Sequence, residues 1–259
     1  MADLLVSSQD GILGLTLNRP GRRNALSPEI IAGLLEALSD EMRAPRHRVV
    51  VITGAGGSFC AGADLDPATI LQRRATIEGE MKAGINRIIG LIRELPLPVI
   101  ASVDGAAAGA GVGLALAADF MIVSDSARLH IAFPRIGAGP DAGVLAQLVF
   151  KIGAARASAL AMLGGTISGE AAERDGLAWR RCGPERLAEE TAALAGELAR
   201  GPTLSYGITK RLVNAMLPAA DARYLGLEAA CQARAFASDD FAEGIAAFAE
   251  GRRPVFTGR

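Results

Sequence analysis

The sequence predicts an α/β core followed by a helical C-terminal appendage. As far as Gly164-Gly165, short β-branched runs alternate with helical stretches; beyond that point nearly everything reads helical. Of the 259 residues, 50% are hydrophobic and 21% charged, so the chain can bury a sizeable core and is not of disordered composition.

The elements follow in order. Ile12–Leu17 alternates loosely and runs into Asn18-Arg-Pro-Gly, a strand entering a turn. Ser27-Pro28 opens a helix, Ser as N-cap and Pro at the first helical position, with Ile31, Leu34, Leu35 and Leu38 on one face. Arg48–Thr53 is a β-branched run typical of a strand buried on both faces. After a Gly-rich loop, Asp66-Pro67 starts a long helix to Arg93. Pro98–Val103 is a strand, Gly109–Ala118 a short Ala-rich helix, and Phe120–Ser124 and Arg128–Phe133 are strands. A loop, Gly137–Asp141, leads to a helix from Ala142. The tail holds a strand-like piece at Leu177–Arg180 and helices at Glu185–Arg200, Pro202–Met216, Asp221–Phe236 and Asp239–Glu250.

A net charge of −1 gives no field to recruit nucleic acid or an anionic membrane, so an anionic ligand has to be caught by local groups. Cys60, Cys182 and Cys231 are odd in number and scattered, which argues against a disulfide framework and a zinc site. The N-terminus lacks the basic and apolar stretches of a signal peptide. The apolar stretch between Asp104 and Asp119 falls short of the roughly 20 residues that span a bilayer. The expected location is the reducing cytoplasm.

Three loops carry candidate chemistry. In Gly54–Leu65 the Lys-Ser/Thr of a phosphate loop is missing, and Asp64 or Asp66 can simply cap the next helix. Alternatively, small residues at Ala61, Gly62 and Ala63 let a ligand carbonyl reach the main chain. Val103–Leu114 follows a strand and opens a helix, but its third dinucleotide-binding glycine is replaced by Leu114. It reads as close packing or as a set of N–H groups at a helix N-terminus. In the third loop, Asp141 alone reads as an N-cap. Its apolar neighbours raise its pKa while a helix N-terminus lowers it, conditions that suit a proton-shuttling base. His47 reads as solvated in a charged turn, His130 as a satisfied half-buried residue, and Cys60 as a small core hydrophobe. Arg252, Arg253 and Arg259 read as a solvated basic tail, with help in holding a nucleotide phosphate as the alternative. No set of residues has metal-ligand spacing.

Taken together, Leu17-Asn-Arg-Pro, Arg23-Asn-Ala-Leu, Ser58–Leu65, Val103–Gly113 and Gly164-Gly-Thr-Ile-Ser-Gly-Glu-Ala-Ala occur in an order that resembles the crotonase (enoyl-CoA hydratase/isomerase) superfamily over almost the whole chain. The resemblance implies a spiral of ββα turns over 1–200 and a helical trimerisation region over 201–259, giving a homotrimer or a hexamer. It implies an acyl-CoA thioester substrate, with coenzyme A present as part of that substrate and no separate cofactor or metal. It also implies an oxyanion hole made by the N–H groups of Ala63 and Ala110. Arg23, Ala25, Ala61 and Leu65 then lie near the adenine end of CoA; Asp64, Gly109 and Phe133 join the substrate-binding residues, and Met81 and Ile85 line the acyl pocket.

The sequence departs from the hydratases at the positions of their two glutamates, which are Gly113 and Phe133 here. Asp141 instead stands where isomerase and dehalogenase branches place a catalytic aspartate. Ala107–Gly111, Pro140–Gly143 and the Phe256–Arg259 ending most resemble the branch that isomerises the ring epoxide of phenylacetyl-CoA. Shifting a double bond needs one base that removes and returns a proton, whereas adding water needs two acids. The expectation is therefore an isomerase with Asp141 as shuttle, by double-bond shift or epoxide rearrangement. Alternatives are a hydratase or hydrolase using Asp141 and a held water, a non-catalytic acyl-CoA-binding subunit and, least favoured, a dinucleotide oxidoreductase.

Overall fold

The computed structural model describes residues 2–216 and 222–258. Asp221, expected to open a helix, and Arg259 lie outside the described residues.

The chain opens with a hairpin, β1 (Leu4–Gln9) and β2 (Ile12–Leu17), turning at Asp10-Gly11, where both residues have positive φ. β1 was not anticipated: its residues are mostly exposed, so its sequence carries no buried-face alternation. Helix α1 (Pro28–Arg43) starts as its sequence requires, with the Ser27 hydroxyl accepting from the Ile30 N–H at 3.2 Å and Ile30, Leu34 and Leu38 buried.

A unit of two strands and a helical segment then repeats. The first is β3 (Val49–Gly54), β4 (Ser58–Cys60), α2 (Ile77–Ala83) and α3 (Ile85–Glu94); the second is β5 (Val99–Val103), β6 (Ala106–Ala108) and α4 (Ala110–Ala117). The third is β7 (Phe120–Ser124), β8 (Arg128–His130), α5 (Val144–Ile152) and α6 (Ala154–Leu163), before β9 (Thr166–Ser168), α7 (Gly169–Arg174) and β10 (Arg180–Cys182). First strands join a six-stranded sheet, β1-β2-β3-β5-β7-β10, and second strands a four-stranded sheet, β4-β6-β8-β9. All pairings are parallel except β1 with β2 and β8 with β9. This alternation between sheets is the spiral of ββα turns.

Helices α8 (Leu187–Arg200), α9 (Thr203–Ala215), α10 (Ala222–Phe236) and α11 (Asp239–Glu250) complete the chain. Leu187, Leu194 and Leu198 of α8 cover one face of the large sheet through Val49, Ile100 and Ile122. The other face belongs to the main core, which Leu225, Ala229, Phe236, Phe241 and Ile245 of α10 and α11 enter. On α9, Leu204, Ile208 and Leu212, followed by Met216 at the C-cap, recur every four residues and are exposed.

Some expected elements change, among them the strand-like piece at Leu177–Arg180, which lies at Arg180–Cys182. The helix foreseen over 66–93 is a 3₁₀ turn at Ile70–Ala75 followed by α2 and α3, broken at Gly84. A Cβ on Gly84 would lie 2.8 Å from the Glu80 carbonyl oxygen, so the bend is open only to glycine. The strand foreseen over 128–133 ends at His130, because Phe133-Pro134 starts a 3₁₀ turn. The C-terminal tail is exposed at Arg252 and Arg253, in keeping with the solvated reading, and is tethered as well: Arg252 pairs with Glu243 and Glu250, and Asp240 accepts from the Thr257 and Gly258 amides.

Every residue of α4 is buried. A Cβ on Gly111 would fall 2.3 Å from the Cys60 carbonyl oxygen, and one on Gly113 would fall 2.5 Å from that of Ala142. Gly111→Ala is therefore a contest between helix propensity, which favours Ala by about 1 kcal/mol, and overpacking against backbone, which costs about 1–3 kcal/mol. The expected net effect is destabilisation by about 1–2 kcal/mol in urea unfolding; a stabilised variant would show that α4 shifts freely.

Candidate active site

Four backbone segments meet at one place. Arg19–Leu26 is stitched to the Gly-rich loop by main-chain hydrogen bonds, Leu26 N–H to Gly62 O at 2.8 Å and Ala61 N–H to Arg23 O at 2.9 Å. Asn24, wholly buried, donates from its amide to the carbonyls of Ala55 and Ser58 and accepts from the Arg19 N–H. The Asn of the Arg23-Asn-Ala-Leu motif thus fixes both loops. Arg19 and Arg22 each donate to Asp64, at 2.9 and 3.0 Å. Burial raises the Asp64 pKa, but the two guanidiniums outweigh it and hold the carboxyl below the usual range. Arg23, Ala25, Ala61, Asp64 and Leu65 are therefore gathered on one loop pair, Arg23 in the left-handed region at φ 47°.

The second loop touches the first through glycine. A Cβ on Gly62 would sit 2.6 Å from the Ala108 carbonyl oxygen and 3.3 Å from the Ala110 nitrogen, so the chain segments bearing Ala63 and Ala110 run against each other. Ala63 is held by a parallel bridge to Leu26, and among the described residues its N–H donates to no backbone group outside the helices and strands. Ala110 is the first residue of α4, where an N–H has no intrahelical acceptor. The Phe133 ring, buried, packs beside Gly109, 3.7 Å from where its Cβ would be.

The third loop brings the acid. Asp141 does not cap α5: the helix starts at Val144, with Gly143 at the N-cap and no side-chain cap. Ala142 and Gly143 both have positive φ, 52° and 72°. For Ala142 this is an unfavoured conformation, held by complete burial against Gly113. The turn sends the Asp141 carboxyl inward: Oδ2 accepts from the Gln232 amide at 3.1 Å, and Oδ1 is shielded with no hydrogen-bond partner among the described residues. Burial pushes its pKa up to about 6 against the lowering pull of the Gln232 hydrogen bond.

Sequence reasoning missed the α10 contribution entirely. Gln232 also accepts from the Gly139 N–H at 2.8 Å, and Glu228, one turn earlier, accepts from the Gly143 N–H at 2.8 Å. Burial raises the Glu228 pKa to about 7; the Gly143 bond opposes this, and the nearby Asp141 charge adds to the rise. The only available signal was polar residues four apart on the inner face of a helix beside Leu225 and Ala229, and it does not identify their partners. Met81 and Ile85 are buried in the main core together with Ala142 and Leu225. Ile89, not anticipated, lies closer to the acid's loop: its Cγ2 is 3.7 Å from where a Gly143 Cβ would be.

The remaining candidates sit elsewhere. His47 is not solvated: its ring bonds Glu41 at 2.8 Å and Ser8 at 2.7 Å. His130 bonds Thr166 at 2.9 Å, and burial together with Arg135, Arg128 and Arg23 lowers its pKa. Cys60 is fully buried, its thiol pushed up to about 12. Among the described residues no cluster of His, Cys, Asp or Glu is arranged to hold a metal, and no helix is long and apolar enough to cross a membrane.

A model of the enoyl-CoA hydratase/isomerase family matches residues 7–259. The chain is 37% identical to the 1,2-epoxyphenylacetyl-CoA isomerase of Escherichia coli, over the full length of both chains. It is 35% identical to the trans-2-decenoyl-[acyl-carrier-protein] isomerase of Streptococcus mutans, over 99% of this chain and 98% of that one. The crystal structure of an enoyl-CoA hydratase from Mycobacterium avium subsp. paratuberculosis superposes with a TM-score of 0.88 at 34% identity, covering 99% of both chains.

Glu228 is a carboxyl whose folded-state pKa lies above its unfolded value. Between about 4.5 and 7 the native state binds more protons than the unfolded state, so this group's contribution to stability falls as pH rises through that window. Replacing it by Gln keeps an acceptor for the Gly143 amide and removes the buried charge. Glu228→Gln is expected to be more stable than the parent at pH 8, by on the order of 3 kcal/mol, with the difference vanishing below pH 4.5. Urea midpoints across pH 4–8 would check this, and a pH-independent difference would refute it.

Proposed function

The chain belongs to the enoyl-CoA hydratase/isomerase family, and on that premise we propose that it is an acyl-CoA isomerase in which Asp141 shuttles one proton. The observation that carries this reading is the shielded, unpartnered Asp141 Oδ1, with its other oxygen held by Gln232. A carboxyl with a pKa near 6 is divided between its two forms around neutrality, so it can both take a proton and give it back.

In this reading the thioester carbonyl enters between the loops bearing Ala63 and Ala110. As the α- or γ-proton leaves toward Asp141 Oδ1, negative charge builds on the carbonyl oxygen, and the two N–H groups stabilise the enolate. Reprotonation by the same carboxyl at a different carbon completes a 1,3-shift. Loss of the α-proton from a thioester that bears a ring epoxide at its β-carbon forms the same enolate, whose electrons can then break the β C–O bond, with the epoxide oxygen taking the electron pair. Position 113, where hydratases of the family carry a glutamate, is closed by the Ala142 backbone and cannot hold an acid without rearrangement. Phe133, at the second such position, contributes an apolar wall, which supports proton transfer without added water. The CoA moiety fits along Arg23, Ala25, Ala61 and Leu65, and the exposed α9 stripe supports assembly as a trimer or dimer of trimers.

A hydratase is the second reading, and one observation favours it: Glu228 places a second carboxyl beside Asp141. Incubating an acyl-CoA panel in deuterated, ¹⁸O-labelled water separates the two readings. The isomerase exchanges protons for deuterons without gaining ¹⁸O, and ¹⁸O in product would replace it with the hydratase. Asp141→Asn is expected to cut turnover by about 10²–10⁴-fold with a smaller change in KM; full turnover on the best substrate would reject the assignment. Ala110→Pro removes one N–H at a first helical position, where proline is tolerated, so the fold should persist. Its turnover is expected to fall by about 10²–10³-fold while circular dichroism stays unchanged.

A further inference from the structure

A second cavity, of about 280 Å³, lies between α3, α5 and α9, and none of its lining residues belongs to the loops of the candidate active site. Its floor carries three cations, Arg93, Lys151 and Lys210, and one acid, Asp119. The acid is already engaged: its Oδ2 lies 2.7 Å from Lys210 Nζ and accepts from the Val99 N–H at 2.8 Å. Lys210 also donates to the Leu97 carbonyl, so its own demand is met within the fold.

Arg93 is not satisfied. It is 6% exposed, yet its Nε and Nη2 are shielded and have no hydrogen-bond partner among the described residues. Lys151 lines the same space and, among the described residues, has no carboxylate at ion-pair distance. Burial and the neighbouring cation lower the pKa of Lys151, with Asp119 partly opposing. Gln147 on the wall has its Oε1 unpartnered too, and an amide flip would present its NH₂ group instead. Burial lowers the Arg93 pKa against the pull of Asp119, which Lys210 already engages; a buried guanidinium with two nitrogens lacking acceptors is costly, and a further anion removes that cost.

The walls select among anions. Phe120, Phe150, Tyr206 and Val213 give an apolar lining, with Phe150 and Val213 at the mouth 51% and 46% exposed. A bare, strongly hydrated ion finds donors here but loses hydration against those side chains. A short carboxylic acid satisfies both halves.

We propose that this cavity is a binding site for a small organic acid, its carboxylate on Arg93 and Lys151 and its apolar body against Phe120, Phe150 and Val213. The site is separate from the acyl-CoA loops and independent of the role assigned to Asp141. Because Gln147, Phe150 and Lys151 stand on α5, the helix that follows the Asp141 turn, its occupant sits against an element that also borders the acid.

The test uses the full chain with hexanoate as probe, at constant ionic strength, read by thermal unfolding and titration calorimetry. Hexanoate is expected to raise Tm saturably, and hexanol (no charge) and inorganic phosphate (no tail) to bind at least tenfold more weakly. Arg93→Gln removes the buried donor but endangers folding. Lys151→Met, at a half-buried position, is the second variant; it should lose at least tenfold in hexanoate affinity while binding acetyl-CoA as the parent does. The proposal is overturned if hexanoate gives no saturable response, if phosphate matches it, or if Lys151→Met responds equally. It is also overturned if hexanoate is silent and Lys151→Met sediments as a smaller species, which assigns the cations to a carboxylate of a second copy of this chain.

Discussion

The architecture of the site depends on main chain meeting main chain without side chains between. Gly62 runs against Ala108 and Ala110, Gly111 against Cys60, and Gly113 against Ala142, each closer than any Cβ allows. Two amides from loops 47 residues apart in sequence can serve one oxygen only if their backbones approach this closely. The same closeness removes the space in which a side chain at 113 would work. A buried carboxyl, Asp141, comes in from another direction, by way of the turn at Ala142-Gly143.

That turn settles a competition between two influences on Asp141. A carboxylate at a helix N-terminus is stabilised by the helix dipole, and one enclosed by apolar atoms is destabilised. Because α5 begins only at Val144, and Glu228 takes the Gly143 amide in the role a cap would play, Asp141 receives little of the first influence and all of the second. The left-handed Ala142 carries a conformational cost that its burial against Gly113 holds in place.

Much of the fold was legible because local rules and tertiary structure agree. Ser27-Pro28 caps α1 in the structure as its chemistry requires, and Phe120–Ser124 is a strand with the foreseen bounds. The failures have physical causes. β4, β6 and β9 have three residues each, too few for periodicity to register, and they pair only because neighbouring turns of the spiral bring them side by side. Gly84 breaks a helix whose apolar pattern runs on uninterrupted, since the pattern records burial and not backbone continuity. In the site, loops rich in glycine announced themselves, whereas Glu228 and Gln232 did not. Nothing in an amphipathic helix states which distant loop its polar residues will meet.

Gln232 stands 91 residues after the carboxylate it holds. On a growing chain, both amide loops and Asp141 leave the ribosome long before α10 exists to shield them. Without that helix the Asp141 Oδ2 has no Gln232 amide to accept from. The surroundings that raise the Asp141 pKa are thus completed only by α10, a helix that follows every loop of the candidate site in the sequence. The same division of labour lets natural variation retune the acid by altering α10 while the amide-bearing loops stay untouched.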